Sequence, residues 1–301
     1  VLLDKSTAKT ITPFDSQKPH DMINQHPDFK DDPTAPIGVF DSGVGGLSVY
    51  LHLKTLMPNE RFIYHADTAN VPYGDKLGDE ILCLTLKAVS QLCQWGCKLI
   101  VIACNSASAH ALKALRERCS VPIVGLVPAV KPACHLTHTQ KIAVLATQAT
   151  LNAELLNDVI DDVATPQGIV VYKHFEPMLV PWVENGMPID SQVVHLLIKQ
   201  TKQWADMGVD VIVLGCTHYP FFKGFLSSYL QKENLAVHLI DSGLAVAQRV
   251  KSLLDLFHMA SSTPNTTPMQ LYATHLDDDL IATAKKLSGE SFIEIIGHHK
   301  T

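Results

Sequence analysis

Apolar residues in this chain gather into short unbroken runs, separated by stretches in which they recur every three or four positions. The sharpest run is Leu99-Ile100-Val101-Ile102, apolar and rich in β-branched residues, as in a strand buried on both faces of a parallel sheet. Ala107–Arg118 follows with helical spacing. The same alternation predicts strands at Ile37–Phe40, Arg61–His65, Val121–Leu126, Lys141–Ala146, Gly168–His174, Val209–Leu214 and Val237–Ile240. Helices are predicted over Leu47–Leu56, Asp79–Gln94, Leu151–Asp161, Ser191–Met207, Phe221–Leu230 and Leu244–His258. Strands alternating with helices argue for α/β architecture with parallel sheets. The divisions are a polar amino-terminal extension (1–36), a first α/β domain (37–130 with 238–301) and a second (131–237). On this reading the strand ending at Asp241 returns to the first domain. The residues after about His258 form a tail, in which His298 and His299 are solvated.

The polar residues that interrupt these runs repeat. Leu99–Ile102 ends in Ala103-Cys104-Asn105-Ser106, and Val211–Leu214 ends in Gly215-Cys216-Thr217-His218. Asp-Ser-Gly likewise follows an apolar run twice, at Asp41-Ser42-Gly43 and Asp241-Ser242-Gly243. The pattern reads as one half-molecule written twice, with a thiol at each of two equivalent strand ends. Ligands of open α/β sheets bind at strand carboxyl ends. A thiol beside a helix amino terminus there is expected to have a lowered pKa. The plainer reading makes each Cys a small buried hydrophobe. Gly43, Gly45 and Gly46 would let backbone approach a small anionic ligand, or would serve tight packing alone. They do not make the GxGxxG spacing of a dinucleotide site.

Length, at 301 residues, allows two domains of ordinary size. A net charge of −6 gives no electrostatic footprint for nucleic acid or an anionic membrane. No apolar run approaches the roughly 18 residues of a membrane helix. None of the seven cysteines forms a CxxC pair, and Cys93 and Cys97 lack a second ligand pair, so no metal site is expected. Reduced cysteines fit a cytoplasmic protein. Val1–Pro36 is polar and proline-rich, without a signal-peptide layout. It is expected to be a loosely held extension, the alternative being an arm packed on the body.

The motifs IGVFDSGVGGLSV (Ile37–Val49), VPYG (Val71–Gly74), ACNSASA (Ala103–Ala109), GLVPAVKPA (Gly125–Ala133), LATQAT (Leu145–Thr150), GCTHYP (Gly215–Pro220) and IDSG (Ile240–Gly243) stand in this order. Together they resemble the glutamate racemase family of the cofactor-independent aspartate/glutamate racemases. The resemblance implies two pseudo-symmetric flavodoxin-like domains with the active site in the cleft between them. It also implies interconversion of L- and D-glutamate without cofactor, supplying D-glutamate for bacterial peptidoglycan. By the same resemblance Cys104 and Cys216 match the catalytic thiols, Cys104 for the D-enantiomer and Cys216 for the L-enantiomer. Asp41, His218 and Glu184 match assisting groups. Substrate-binding positions are Asp41, Ser42, Pro72, Tyr73, Gly74, Asn105, Ser106, Thr147, Thr150, Thr217 and His218. A homodimer and a cell-wall precursor acting as regulator are the partners it suggests. Ser106 stands where Thr is usual and Ala149 where Gly is common.

The chemistry is consistent with that assignment. Inverting a carbon by proton transfer needs a base on one face and an acid on the other, and a Cys, with an ordinary pKa near 8.5, can serve as either. His218 could take or return the Cys216 proton. An ionised Asp41 beside a Cys104 thiolate would be two anions together, so a shared proton is expected there. A cysteine hydrolase would leave the second thiol without a task. A dinucleotide oxidoreductase would need other glycine spacing, and a binding protein would need neither thiol. Aspartate racemase is the nearest alternative, one methylene away.

Overall fold

A computed structural model describes residues 32–289 and, for the backbone, 293–297. Most of the expected amino-terminal extension, and the pair His298 and His299, lie outside the described residues. Ten described strands form two all-parallel sheets. The first contains β1 (Ile37–Asp41), β2 (Phe62–Ala66), β3 (Leu99–Ile102) and β4 (Ile123–Gly125). The second contains β5 (Lys141–Ala146), β6 (Val170–His174), β7 (Val211–Gly215) and β8 (His238–Ile240). Two further strands, β9 (Met269–Ala273) and β10 (Ile293–Gly297), belong to the first sheet. The orders are β10-β9-β2-β1-β3-β4 and β6-β5-β7-β8.

Burial explains which runs became central. All four side chains of β3 have no solvent exposure, and β3 lies between β1 and β4. Enclosing one such aliphatic side chain contributes roughly 1.5–3 kcal/mol, which is why an apolar run this short is held at the middle of a sheet. In the second sheet β7 has the same role, paired to β5 on one side and β8 on the other. Helix Leu47–Leu56 and helix Gly243–Leu256 share one core with the strands of the first sheet, through Leu47, Val49, Val246 and Val250.

Two expectations are corrected. The strand before Asp241 does not return to the first sheet: β8 pairs with β7, His238 opposite Val211 and Ile240 opposite Val213. Helix Pro220–Lys232 is a crossover on the second sheet, and a right-handed crossover sets the next parallel strand beside its predecessor. The chain changes bodies only at Asp241-Ser242, after which helix Gly243–Leu256 joins the first core. Nor are the residues after His258 a tail. Strand β9 pairs along β2 from Ile63 opposite Gln270 to Ala66 opposite Ala273, with Met269, Leu271 and Ala273 buried. Helix Asp278–Ser288 then packs Ala284 and Leu287 into the first core.

The return is anchored by a buried charge. Lys98 Nζ donates to Glu60 Oε2 (2.5 Å), Pro33 O (2.5 Å) and Met259 O (2.8 Å). It thereby binds the start of the described chain and the start of the carboxyl-terminal segment to one point. Burial lowers the Lys98 pKa, and Glu60 opposes that shift.

Candidate active site

Each thiol stands at the carboxyl end of a central strand, one from each sheet, and both face one cavity of about 60 Å³. The two bodies meet around it. Ser106 Oγ and Thr147 Oγ1 are 2.9 Å apart, and Ser48 Oγ donates to Thr217 O at 2.8 Å.

Cys104 is the N-cap of helix Asn105–Arg118, with extended backbone, and its sulfur accepts from Ala107 N at 3.4 Å. Ser42 Oγ lies 3.7 Å from the same sulfur. The expected lowering of this thiol's pKa is not met. Burial and the neighbouring Asp41 carboxyl push it up to about 12, and the long bond from Ala107 offsets only part of that. Asp41 is itself fully buried, and burial raises its pKa against the pull of His218. Its Oδ1 accepts from Gly43 N (2.8 Å) and its Oδ2 from Thr217 Oγ1 (3.3 Å).

Cys216 does not cap a helix. Thr217-His218-Tyr219 intervene before helix Pro220–Lys232, and that turn brings His218 Nδ1 to 3.7 Å from the Cys216 sulfur. His218 Nε2 lies 3.0 Å from Glu184 Oε1, at the end of helix Leu179–Glu184. Burial alone would lower the His218 pKa, but Cys216 and Glu184 outweigh it and the net shift is well upward. A histidine ring therefore stands beside the second sulfur, where a serine hydroxyl stands beside the first.

The Gly-rich turn of residues 43–46 serves the protein's own side chains. A Cβ on Gly45 would lie 2.4 Å from His218 Nδ1, and one on Gly46 would lie 2.7 Å from Tyr64 Oη. This close approach alone is enough to require glycine at Gly45.

Of the residues singled out in the sequence, Ser42, Pro72, Tyr73, Gly74, Asn105, Ser106, Thr147, Cys104, Cys216, Thr217 and His218 line the cavity. Asp41 lies behind it, and Glu184 reaches it only through His218. Thr150 does not reach it: fully buried, its hydroxyl accepts from Thr147 Oγ1 at 3.0 Å. The sequence reading missed the apolar side of the cavity, made by Phe175, Pro177, Val180 and Pro181. Its one signal was position, because the segment leaves the carboxyl end of β6. Among the described residues no group of three or more His, Cys, Asp or Glu could hold a metal ion. Nor is any helix long and apolar enough to cross a membrane.

The Asp/Glu/Hydantoin racemase family matches residues 63–250. The glutamate racemase of Deinococcus radiodurans is 46% identical over 219 residues, 73% of this chain and 74% of that protein. The chain belongs to that family, among its glutamate racemases. Two solved structures agree with the fold. The glutamate racemase of Thermus thermophilus, in complex with β-chloro-D-alanine, gives a TM-score of 0.74 at 33% identity, covering 90% of this chain and 99% of that one. The Escherichia coli glutamate racemase, in complex with L-glutamate and the activator UDP-MurNAc-ala, gives 0.73 at 29% identity, covering 87% and 97%. The chain is thus an amino-acid racemase, an isomerase.

Proposed function

We propose that this racemase interconverts L- and D-glutamate with Cys104 and Cys216 as its two acid/base groups, without metal or organic cofactor. One observation carries the reading: two thiols from equivalent strand ends share a single cavity, and a histidine ring lies against one of them. In the forward step the Cα–H bond breaks, its proton goes to the thiolate on that face, and the electron pair stays on Cα. The S–H bond of the opposite thiol then breaks and delivers a different proton to the other face. The reverse reaction exchanges the roles. A sulfur of pKa about 12 is scarce as thiolate but is a stronger base for a carbon acid when formed. His218 lies against Cys216 and can take or return its proton, and Glu184 holds that ring. A cytoplasmic place in peptidoglycan precursor supply follows from this product, and the activator in the E. coli complex supports a nucleotide-linked wall precursor as regulator here too.

The test is circular dichroism of L-glutamate, L-aspartate and L-alanine incubated with protein dialysed against chelator and free of pyridoxal absorbance. Loss of optical rotation is expected for glutamate and not for alanine. Faster loss with aspartate would favour the aspartate alternative, and activity that requires added pyridoxal phosphate or metal would overturn the mechanism.

A further inference from the structure

The cavity wall Val71–Gly74 is held from behind by one carboxylate, that of Asp67, at the end of β2. Asp67 is buried. Its Oδ2 accepts from Tyr73 Oη at 2.6 Å, its Oδ1 accepts from Thr274 Oγ1 at 2.8 Å, and Asn70 Nδ2 donates to both oxygens at 3.0 and 3.1 Å. A carboxyl group this enclosed is tolerable because donors surround it. Tyr73 and Asn70 belong to the wall and its approach. Thr274 does not: it follows β9, in the carboxyl-terminal segment that lies beyond the family match at 63–250.

Adjoining residues repeat the tie, each time through a threonine hydroxyl. Ala69 N donates to Thr274 Oγ1 at 2.9 Å, Thr68 Oγ1 donates to His275 O at 2.5 Å, and His275 N donates back to Thr68 Oγ1 at 2.9 Å. On its opposite side the wall rests on the second body, where a Cβ at Gly74 would lie 2.9 Å from Thr147 Cβ. The wall is therefore gripped between Thr147 and the Asp67–Thr274 pair, with the Tyr73 ring directed by its hydroxyl.

We propose that Asp67, held by Thr274, is a positioning residue that fixes Tyr73 and Gly74 at the cavity and so sets glutamate affinity, not the proton-transfer step. The inference rests on the glutamate reading above, and it gives the carboxyl-terminal return a task in the active site. The test is steady-state kinetics in both directions, with melting curves, for Thr274→Val, Thr274→Ser, Asp67→Asn and the double variant Asp67→Asn/Thr274→Val. KM for glutamate is expected to rise about tenfold in Thr274→Val, which loses the bond to Asp67 and the one from Ala69 N, and at least as much in Asp67→Asn. For both, kcat should stay within about threefold of wild type. Thr274→Ser, which keeps the hydroxyl, should restore the wild-type KM. The effect of the double variant should fall clearly short of the two single effects combined, because the Asp67–Thr274 bond is common to both. A merely structural role would lower melting temperature and kcat per milligram while leaving KM unmoved. That result, or an additive double variant, overturns the inference while an active wild type leaves the proposed function standing. A wild type that does not racemise glutamate overturns both.

Discussion

The Cys104 and Cys216 ends of the cleft are written in nearly the same sequence pattern and have different polar neighbours. At the first, a helix begins directly on the cysteine, Ser42 is the polar neighbour, and a buried Asp41 helps push the thiol up to about 12. At the second, the helix begins later, and the intervening turn supplies His218, backed by Glu184. Repetition provides two sulfurs in matching places. The three-residue delay before the second helix provides their difference in neighbours. In the proposed two-base inversion each sulfur takes both roles in turn, so these unlike neighbours must each serve a thiol that is acid in one direction and base in the other.

The largest expected effect comes from removing either sulfur. Cys104→Ala and Cys216→Ala should each lower racemisation by about 10³-fold or more, within the range for loss of an acid/base group. Because the enantiomers are equal in free energy, any variant must lose kcat/KM equally in both directions. The asymmetry is therefore expected in exchange. In heavy water, Cys104→Ala should wash deuterium into L-glutamate only, and Cys216→Ala into D-glutamate only, read by proton NMR at Cα. Wild-type product should carry solvent deuterium from the first turnover. Substantial retained protium would point to a single base and remove the comparison altogether.

A smaller loss, about 10²-fold, is expected for His218→Asn. Since the His218 pKa is raised in the folded state, its charge stabilises the fold at neutral pH and the benefit fades as pH rises through the raised value. Wild-type activity and melting temperature should both decline on that alkaline side, and the variant should lack this limb in each. A limb that persists in His218→Asn would assign the charge elsewhere. Gly45→Ala should act through the same ring, because its Cβ would stand 2.4 Å from Nδ1. Overpacking of this kind costs about 1–3 kcal/mol, measurable by denaturant titration, with a matching shift in the pH profile.

The smallest effect sharpens the contrast within the repeated Asp-Ser-Gly turn. Gly43 N donates to Asp41 at 2.8 Å and Gly243 N to Asp241 at 3.0 Å, so the two turns are built alike. Asp241 meets Lys223 at 2.8 Å, with 38% of the lysine side chain exposed, whereas Asp41 is sealed in and bonded to Thr217. Lys223→Met should change stability by less than about 1 kcal/mol and leave activity intact.

What could be read from sequence follows the same division. Residues at the ends of short apolar runs, among them Cys104, Cys216 and Ser42, were legible because a central parallel strand announces both itself and its carboxyl end. The destination of a strand was not: Val237–Ile240 has the same character in either sheet, and the crossover before it decided the matter. Strand β9 was missed as a sheet member because it alternates buried with half-buried residues after a polar linker. Asp67 and Thr274 carry no local signal, since they meet only when the chain returns. The thiol pKa was misjudged at Cys104 because a helix terminus is visible in sequence while complete burial is not.

The return of the carboxyl-terminal segment also bears on how the chain is made. Strand β2 leaves the ribosome early, and the partner for its outer edge, β9, leaves only after the whole second sheet has been synthesised. Translation proceeds at about 5–20 residues per second, so that edge stands open for roughly 10–40 seconds with its N–H and C=O groups unpaired. An open edge is a template for foreign strands. Lys98 waits as long for the Met259 carbonyl that completes its cage. The first body of this racemase is begun first and closed last, and the nascent protein is most vulnerable to mispairing and chaperone capture during that interval.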